Sequence, residues 1–157
     1  MERPGEPSRS TLVTNFHVVR RLWNSGGRSV VARANGTVIN GTVARVFPQI
    51  DIALIEVPTE LAPLTTDRFG LEVGEPVVAL GSPLGWTGTA TTGIVSAIRP
   101  RFVQFSAPVS PGSSGGPVLD GEGAVVAVTV AKSVGRGVEG LSFAIPIDQV
   151  CRETAAC

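Results

Sequence analysis

Pro111-Gly112-Ser113-Ser114-Gly115-Gly116-Pro117 sets a serine among glycines, and it fits two incompatible architectures. Read as G-x-S-x-G over Gly112–Gly116, it matches the strand–turn–helix elbow that presents a nucleophilic serine above a parallel α/β sheet. That architecture places its histidine after the serine, yet the chain's only histidine, His17, lies far upstream. It also needs long helices alternating with parallel strands, and the sequence has no such pattern. The order here is His17, then Asp51, then Ser114. That order removes the elbow reading, and the glycines instead serve a tight turn.

Composition agrees. The 157 residues suffice for one domain or two small halves with a sizeable core. Nineteen glycines and twelve prolines, with β-branched residues throughout, favour short strands and many turns. Formal net charge is zero, which removes any bulk attraction to nucleic acid or an anionic membrane. Twelve arginines stand against one lysine, Lys132, a bias of genome composition rather than a binding patch. No stretch reaches the length of a membrane-spanning helix, and Met1 to Ser10 is polar, without the apolar core of a signal peptide. If Met1 is the true start, the chain reads as cytoplasmic; otherwise export stays open, and the compartment is left unassigned.

Two cysteines, Cys151 and Cys157, close the chain. On a continuous helix they would stand about 9 Å apart along the axis, too far to bridge. They are expected to be free thiols. Two cysteines and one histidine committed elsewhere do not make a metal site.

Strands are expected at Ser29–Ala34 and Thr37–Val46, joined by the hairpin signal Asn35-Gly36, and at Ile52–Val57. Thr11–Thr14 reads as a strand end entering a short helical turn over Asn15–Arg21, with Asn15 as its N-cap. After a connector, strands follow at Val77–Leu80, Thr89–Ile98, Phe102–Ser106, Pro117–Leu119, Ala124–Ala131 and Leu141–Ile145. A terminal helix is expected to start at an Asp148 cap and run through Ala155.

A serine hydroxyl attacks a carbonyl only if a base takes its proton and N–H donors meet the developing oxyanion. His17 is the one side chain suited to that proton. Six carboxylates lie between His17 and Ser114: Asp51, Glu56, Glu60, Asp67, Glu72 and Glu75. Only Asp51 opens a strongly apolar strand, where a carboxylate would be fixed and partly desolvated to orient the imidazole. Gly112 and Ser114 are the candidate oxyanion donors. Taken singly, each motif has an ordinary reading as well: a linker-like loop, a lone histidine, a strand-entry aspartate.

Together these segments resemble the HtrA/Deg branch of the trypsin-like serine proteases. The matching phrases are Thr14-Asn15-Phe16-His17-Val18-Val19, Asp51-Ile52-Ala53-Leu54-Ile55, Gly74 to Pro83, Gly93-Ile94-Val95-Ser96, Pro111 to Pro117 and Leu141 to Pro146. They stand in the family's order from about residue 11 to residue 150. The resemblance implies two packed antiparallel β-barrels, a first over 1–57 carrying His17 and Asp51 and a second over 75–157 carrying Ser114, joined by a connector over 58–74. It implies peptide-bond hydrolysis through an acyl-enzyme, with no cofactor and with unfolded or extended polypeptides as substrates. Pro108 and Val109, just upstream of the nucleophile, imply an apolar primary pocket. Leu141 to Ala144 imply an edge strand that pairs with substrate, with Leu141, Ser142 and Phe143 as its binding residues. Ser113, where digestive relatives carry an aspartate, argues against activation by N-terminal cleavage.

The family has one or two further strands before the histidine segment. Their absence implies an incomplete first barrel with an open edge, completed upstream, supplied by another chain or lost in a degraded copy. With Cys157 as the end of the chain, the family's PDZ module is expected to be missing, and the family's trimer contacts cannot be carried over, so a homo-oligomer or strand-supplying partner stays open. The second functional reading is therefore a catalytically inactive, truncated protease-like domain that binds extended peptides.

Overall fold

The computed structural model describes residues 8–34, 36–68, 70–82, 88–131 and 140–157. Asn35, Pro83, Lys132 and the first seven residues, on which expectations above depend, lie outside these. Two compact units emerge, Met1–Pro63 and Leu64–Cys157, dividing inside the expected connector.

The first unit is built on β4 (Ile52–Val57), whose burial is complete except at Glu56. A strand apolar on both faces has to be central. It pairs antiparallel with β1 (Ser10–Asn15) and with β3 (Thr37–Phe47), and β3 pairs with β2 (Ser29–Ala34). Among the described residues the order β1-β4-β3-β2 makes a four-stranded sheet. The β2–β3 register pairs Ala34 with Thr37, a two-residue connection whose Gly36 has φ of 77°, the left-handed conformation such hairpins require. Helix α1 (Phe16–Asn24) turns Phe16, Val19, Leu22 and Trp23 onto the sheet, at helical spacing. They pack with Ile39, Val43, Ala53, Ile55 and Val57. The helix runs to Asn24, three residues past the expected end at Arg21, because that apolar face continues to Trp23.

The second unit is a closed barrel of six strands in the order β10-β7-β6-β5-β8-β9. These are β5 (Pro76–Gly81), β6 (Thr89–Ile98), β7 (Val103–Phe105), β8 (Pro117–Leu119), β9 (Val125–Val130) and β10 (Ser142–Pro146). Register shifts in β6 between Val95 and Ala97, and at Val118/Leu119, add the local bend that closure needs. Phe105 fills the centre, wholly buried, and small residues (Ala79, Ala107, Ala127 and Ala144) make room for it. Gly93 lies where any Cβ would strike the main-chain nitrogen of Ala107.

Helix α2 (Ile147–Thr154) buries Ile147, Val150, Cys151 and Thr154, one face at i, i+3, i+4 and i+7. Two expectations fail here. Pro146, not Asp148, occupies the N-cap, and Asp148 instead pairs with Arg152 one turn later, at 3.2 Å. The cysteines are not free: Cys151 and Cys157 form a disulfide with Cα atoms 5.2 Å apart. The helix stops at Thr154 and Ala155 adopts a left-handed conformation (φ 55°), so the tail folds back beside Cys151. Axial rise along a continuous helix was the wrong ruler.

Candidate active site

In the first unit the structure brings His17 and Asp51 together. Asp51 follows a short 3-10 turn over Pro48–Ile50 and sits in the left-handed region, with φ of 55° and ψ of 41°. Aspartate tolerates this better than most residues, but it is still disfavoured, and such conformations gather at functional sites. From there its groups reach the start of α1. The main-chain carbonyl of Asp51 accepts the Phe16 N–H at 3.0 Å. Carboxylate Oδ1 accepts the His17 backbone N–H at 2.8 Å, and Oδ2 lies 2.7 Å from His17 Nδ1. A carboxylate can only accept, so Nδ1 carries the proton and Nε2 of the neutral ring is left as the basic nitrogen.

The expected cap position holds, but not its chemistry. Asn15 holds the N-cap position of α1, but its side chain makes no capping bond. Asp51 does the capping through space. The first turn of α1 contains no acidic residue of its own, so the Asp51 carboxylate supplies the negative charge its N-terminus favours.

In the second unit Ser114 lies between two turns. Ser113 N–H donates to the Ser110 carbonyl at 2.9 Å, closing a turn with Pro111 and then Gly112 (φ 99°) at its centre. Gly116 N–H donates to the Ser113 carbonyl at 3.1 Å, closing a second with Ser114 and Gly115 (φ 84°) at its centre. Proline followed by a positive-φ glycine is the type II signature, and the second turn repeats the positive φ at its third residue. The glycines of Pro111–Pro117 therefore bend the backbone twice around Ser114.

Strand β9 anchors that loop. Gly115 N–H donates to the Thr129 carbonyl at 2.9 Å and Thr129 N–H to the Gly116 carbonyl at 2.8 Å. Ser114 Oγ accepts the Ala131 N–H at 3.2 Å and lies 3.3 Å from the Ala131 carbonyl, to which it can donate. From β5, Gly81 and the Leu80 carbonyl crowd the same loop: a Cβ at Gly81 would come within 2.6 Å of Ser113 Oγ, and one at Gly116 would overlap the Leu80 oxygen. Sequence reasoning missed Gly81, Thr129 and Ala131, since their part is played by backbone atoms brought in from distant strands.

Pro108 and Val109 precede this loop. The Pro108 carbonyl accepts Thr91 Oγ1 at 2.7 Å, and Val109 packs on the barrel core. Ser142 Oγ donates to the Ala107 carbonyl at 2.8 Å, tying β10 to the same segment. The expectation of an edge strand over Leu141–Ala144 is corrected. Phe143 and Ala144 pair with β7 on one side and β9 on the other, inside the closed barrel. The Phe143 ring meets Phe102 edge-on at 5.3 Å, on the face opposite the buried Ser142 side chain. Backbone beside Ser114 comes from the end of β9, at Ala131, rather than from β10.

A family model described as a trypsin-like peptidase domain matches residues 6–128. The chain belongs to that family. Among curated relatives, this trypsin-like peptidase domain is 37% identical over 153 residues to HhoB of Synechocystis, covering 87% of this chain and 35% of that protein. It is 34% identical over 160 residues to the serine protease Do-like HtrA of Lactobacillus helveticus, covering 88% and 37% respectively. The match to a DegP-like protein of Bartonella henselae is 38% over 148 residues, covering 86% and 28%. The domain thus spans about a third of the length of these relatives, which are serine proteases of HtrA/DegP type. The serine endoprotease of Yersinia pestis superposes with a TM-score of 0.80 at 26% identity, over 91% of this chain and 52% of that one. No helix among the described residues is long and apolar enough to cross a membrane.

Proposed function

We propose that this domain is a serine endopeptidase using His17, Asp51 and Ser114. His17 Nε2 takes the Ser114 hydroxyl proton as Oγ attacks the scissile carbonyl carbon. The same proton passes to the leaving amine as the C–N bond breaks, leaving an acyl-enzyme that water hydrolyses by the same route. Asp51 holds Nδ1–H and offsets the imidazolium charge. The N–H groups of Gly112 and Ser114 meet the oxyanion. The observation that carries this reading is the double grip of one carboxylate on His17, by backbone and by ring. A surface histidine has no need of it. The turn-bound serine and the family membership support it. Pro108 and Val109 suit small or medium aliphatic residues before the scissile bond, and polypeptides in extended form are the substrates.

The test is labelling with a fluorophosphonate probe. Wild-type protein reacts, and Ser114→Ala and His17→Ala do not. A folded wild-type protein that fails to react would sink the proposal in favour of peptide binding without turnover, a reading favoured by β1 and β2, the outer strands of the first sheet among the described residues. A peptide library should show cleavage after valine, alanine or isoleucine; cleavage after arginine would overturn the pocket assignment.

A further inference from the structure

Asn15 is wholly buried at the junction of β1 and α1, opposite Ile52 in the ladder. Its Nδ2 donates to the main-chain carbonyl of Asp51 at 3.1 Å, the same oxygen that accepts the Phe16 N–H. Its Oδ1 is buried without a hydrogen-bond partner among the described residues. Rotating the amide offers no remedy, because it would set two oxygens face to face, and a carbonyl only accepts. An orphaned, buried amide oxygen opposes folding, so an apolar side chain of similar shape would suit this site better on packing grounds alone. What an apolar side chain lacks is the donor.

The bond that donor makes falls on a residue whose backbone needs holding. Asp51 is in the left-handed region, reached from the turn in which Asp51 N–H donates to the Pro48 carbonyl at 3.3 Å. In that conformation its carbonyl and both carboxylate oxygens face the start of α1. Asn15 Nδ2 and Phe16 N–H secure the carbonyl; the two N–H groups of His17 secure the carboxylate. The geometry points to Asn15 as a positioning residue: it locks the Asp51 backbone so that the carboxylate grips His17 at two points. Its effect on turnover rests on the protease reading above, whereas its effect on the His17–Asp51 bond does not.

The experiment uses the full chain and the variants Asn15→Leu and Asn15→Ala, which lack the donor with and without filling the space. Three readouts are taken: the fluorophosphonate labelling rate, the urea unfolding midpoint, and the downfield proton NMR signal of His17 Nδ1–H. One histidine in the chain makes that signal unambiguous. In both variants the signal moves upfield or broadens, and labelling slows on the order of 100-fold, the scale of a misplaced catalytic group. Asn15→Leu keeps a cooperative transition with a midpoint at or above wild type, a split that a purely structural asparagine would not produce. An unmoved signal with an unchanged labelling rate overturns the inference, as does loss of cooperative unfolding in both variants, which would make Asn15 a folding residue only. A wild-type protein that shows the signal, loses it in the variants and yet never labels would leave the positioning role standing while the protease reading falls.

Discussion

Asp51 binds His17 twice, through Oδ1 to the backbone N–H at 2.8 Å and through Oδ2 to ring Nδ1 at 2.7 Å. Thirty-four positions of sequence separate the two residues. The backbone bond fixes where the helix starts relative to the carboxylate, so the ring bond inherits that register. A side-chain rotation of Asp51 therefore breaks both bonds together, whereas rotation of the His17 ring breaks only the second, and the carboxylate ties the imidazole to the N-terminus of α1.

Asp51→Asn should remove reactivity while sparing the fold. The amide keeps its shape but presents N–H where the carboxylate accepted, favouring the wrong imidazole tautomer. Loss of about 10⁴-fold in labelling rate is expected, the scale found when a triad aspartate is so changed elsewhere. Stopped labelling assays beside circular dichroism would check it; near-normal labelling would remove Asp51 from the mechanism.

Cys151–Cys157 closes a short loop behind α2. Thiol titration of non-reduced protein should find no free thiol. Reduction, or Cys157→Ser, should cost about 2 kcal/mol of unfolding free energy from the loop-entropy relation for such a small ring. An unchanged denaturation midpoint after complete reduction would show that packing of Val150 and Thr154 suffices.

Gly116→Ala should destabilise the second unit, because its Cβ would overlap the Leu80 carbonyl oxygen, a backbone atom that cannot swing aside. Overpacking of this kind costs about 1–3 kcal/mol. Gly121→Ala meets nothing within 4 Å and is the matched control. Equal urea midpoints for the two variants would contradict the close approach of β5 to the serine loop.

Phe105→Ala should cost about 3–5 kcal/mol, since the ring is fully buried at the barrel centre and small neighbours cannot close over the void. Calorimetry would read this as a lowered unfolding temperature for the second unit. A shift below about 1 kcal/mol would mean the barrel collapses around the gap.

Much of the fold was legible because its signals are local. Ile52–Val57 announces a doubly buried strand by composition alone, and Ser29–Ala34, Thr89–Ile98 and Pro117–Leu119 match the observed strands end to end. The misreadings share one cause. Asp148 looks like a cap within its own segment, yet Pro146 takes that position; Asn15 does hold the N-cap position of α1, yet the capping oxygens come from Asp51, just ahead of β4. Cys157 looks distant from Cys151 until Ala155 reverses the chain. Leu141–Ala144 reads as a strand in sequence, but nothing local reports that β7 and β9 flank it.

The sequence by itself determined residue chemistry and order: one histidine, an aspartate opening an apolar strand, and a serine among turn-forming glycines. Those are properties of short windows, where side-chain type and backbone freedom suffice. Only the tertiary structure decided that the Asp51 backbone is left-handed, that its carboxylate caps the helix bearing His17, and that the end of β9 meets Ser114. Each of these depends on strand pairing between segments far apart in the chain, and pairing is a collective outcome of burial and register that no single window encodes.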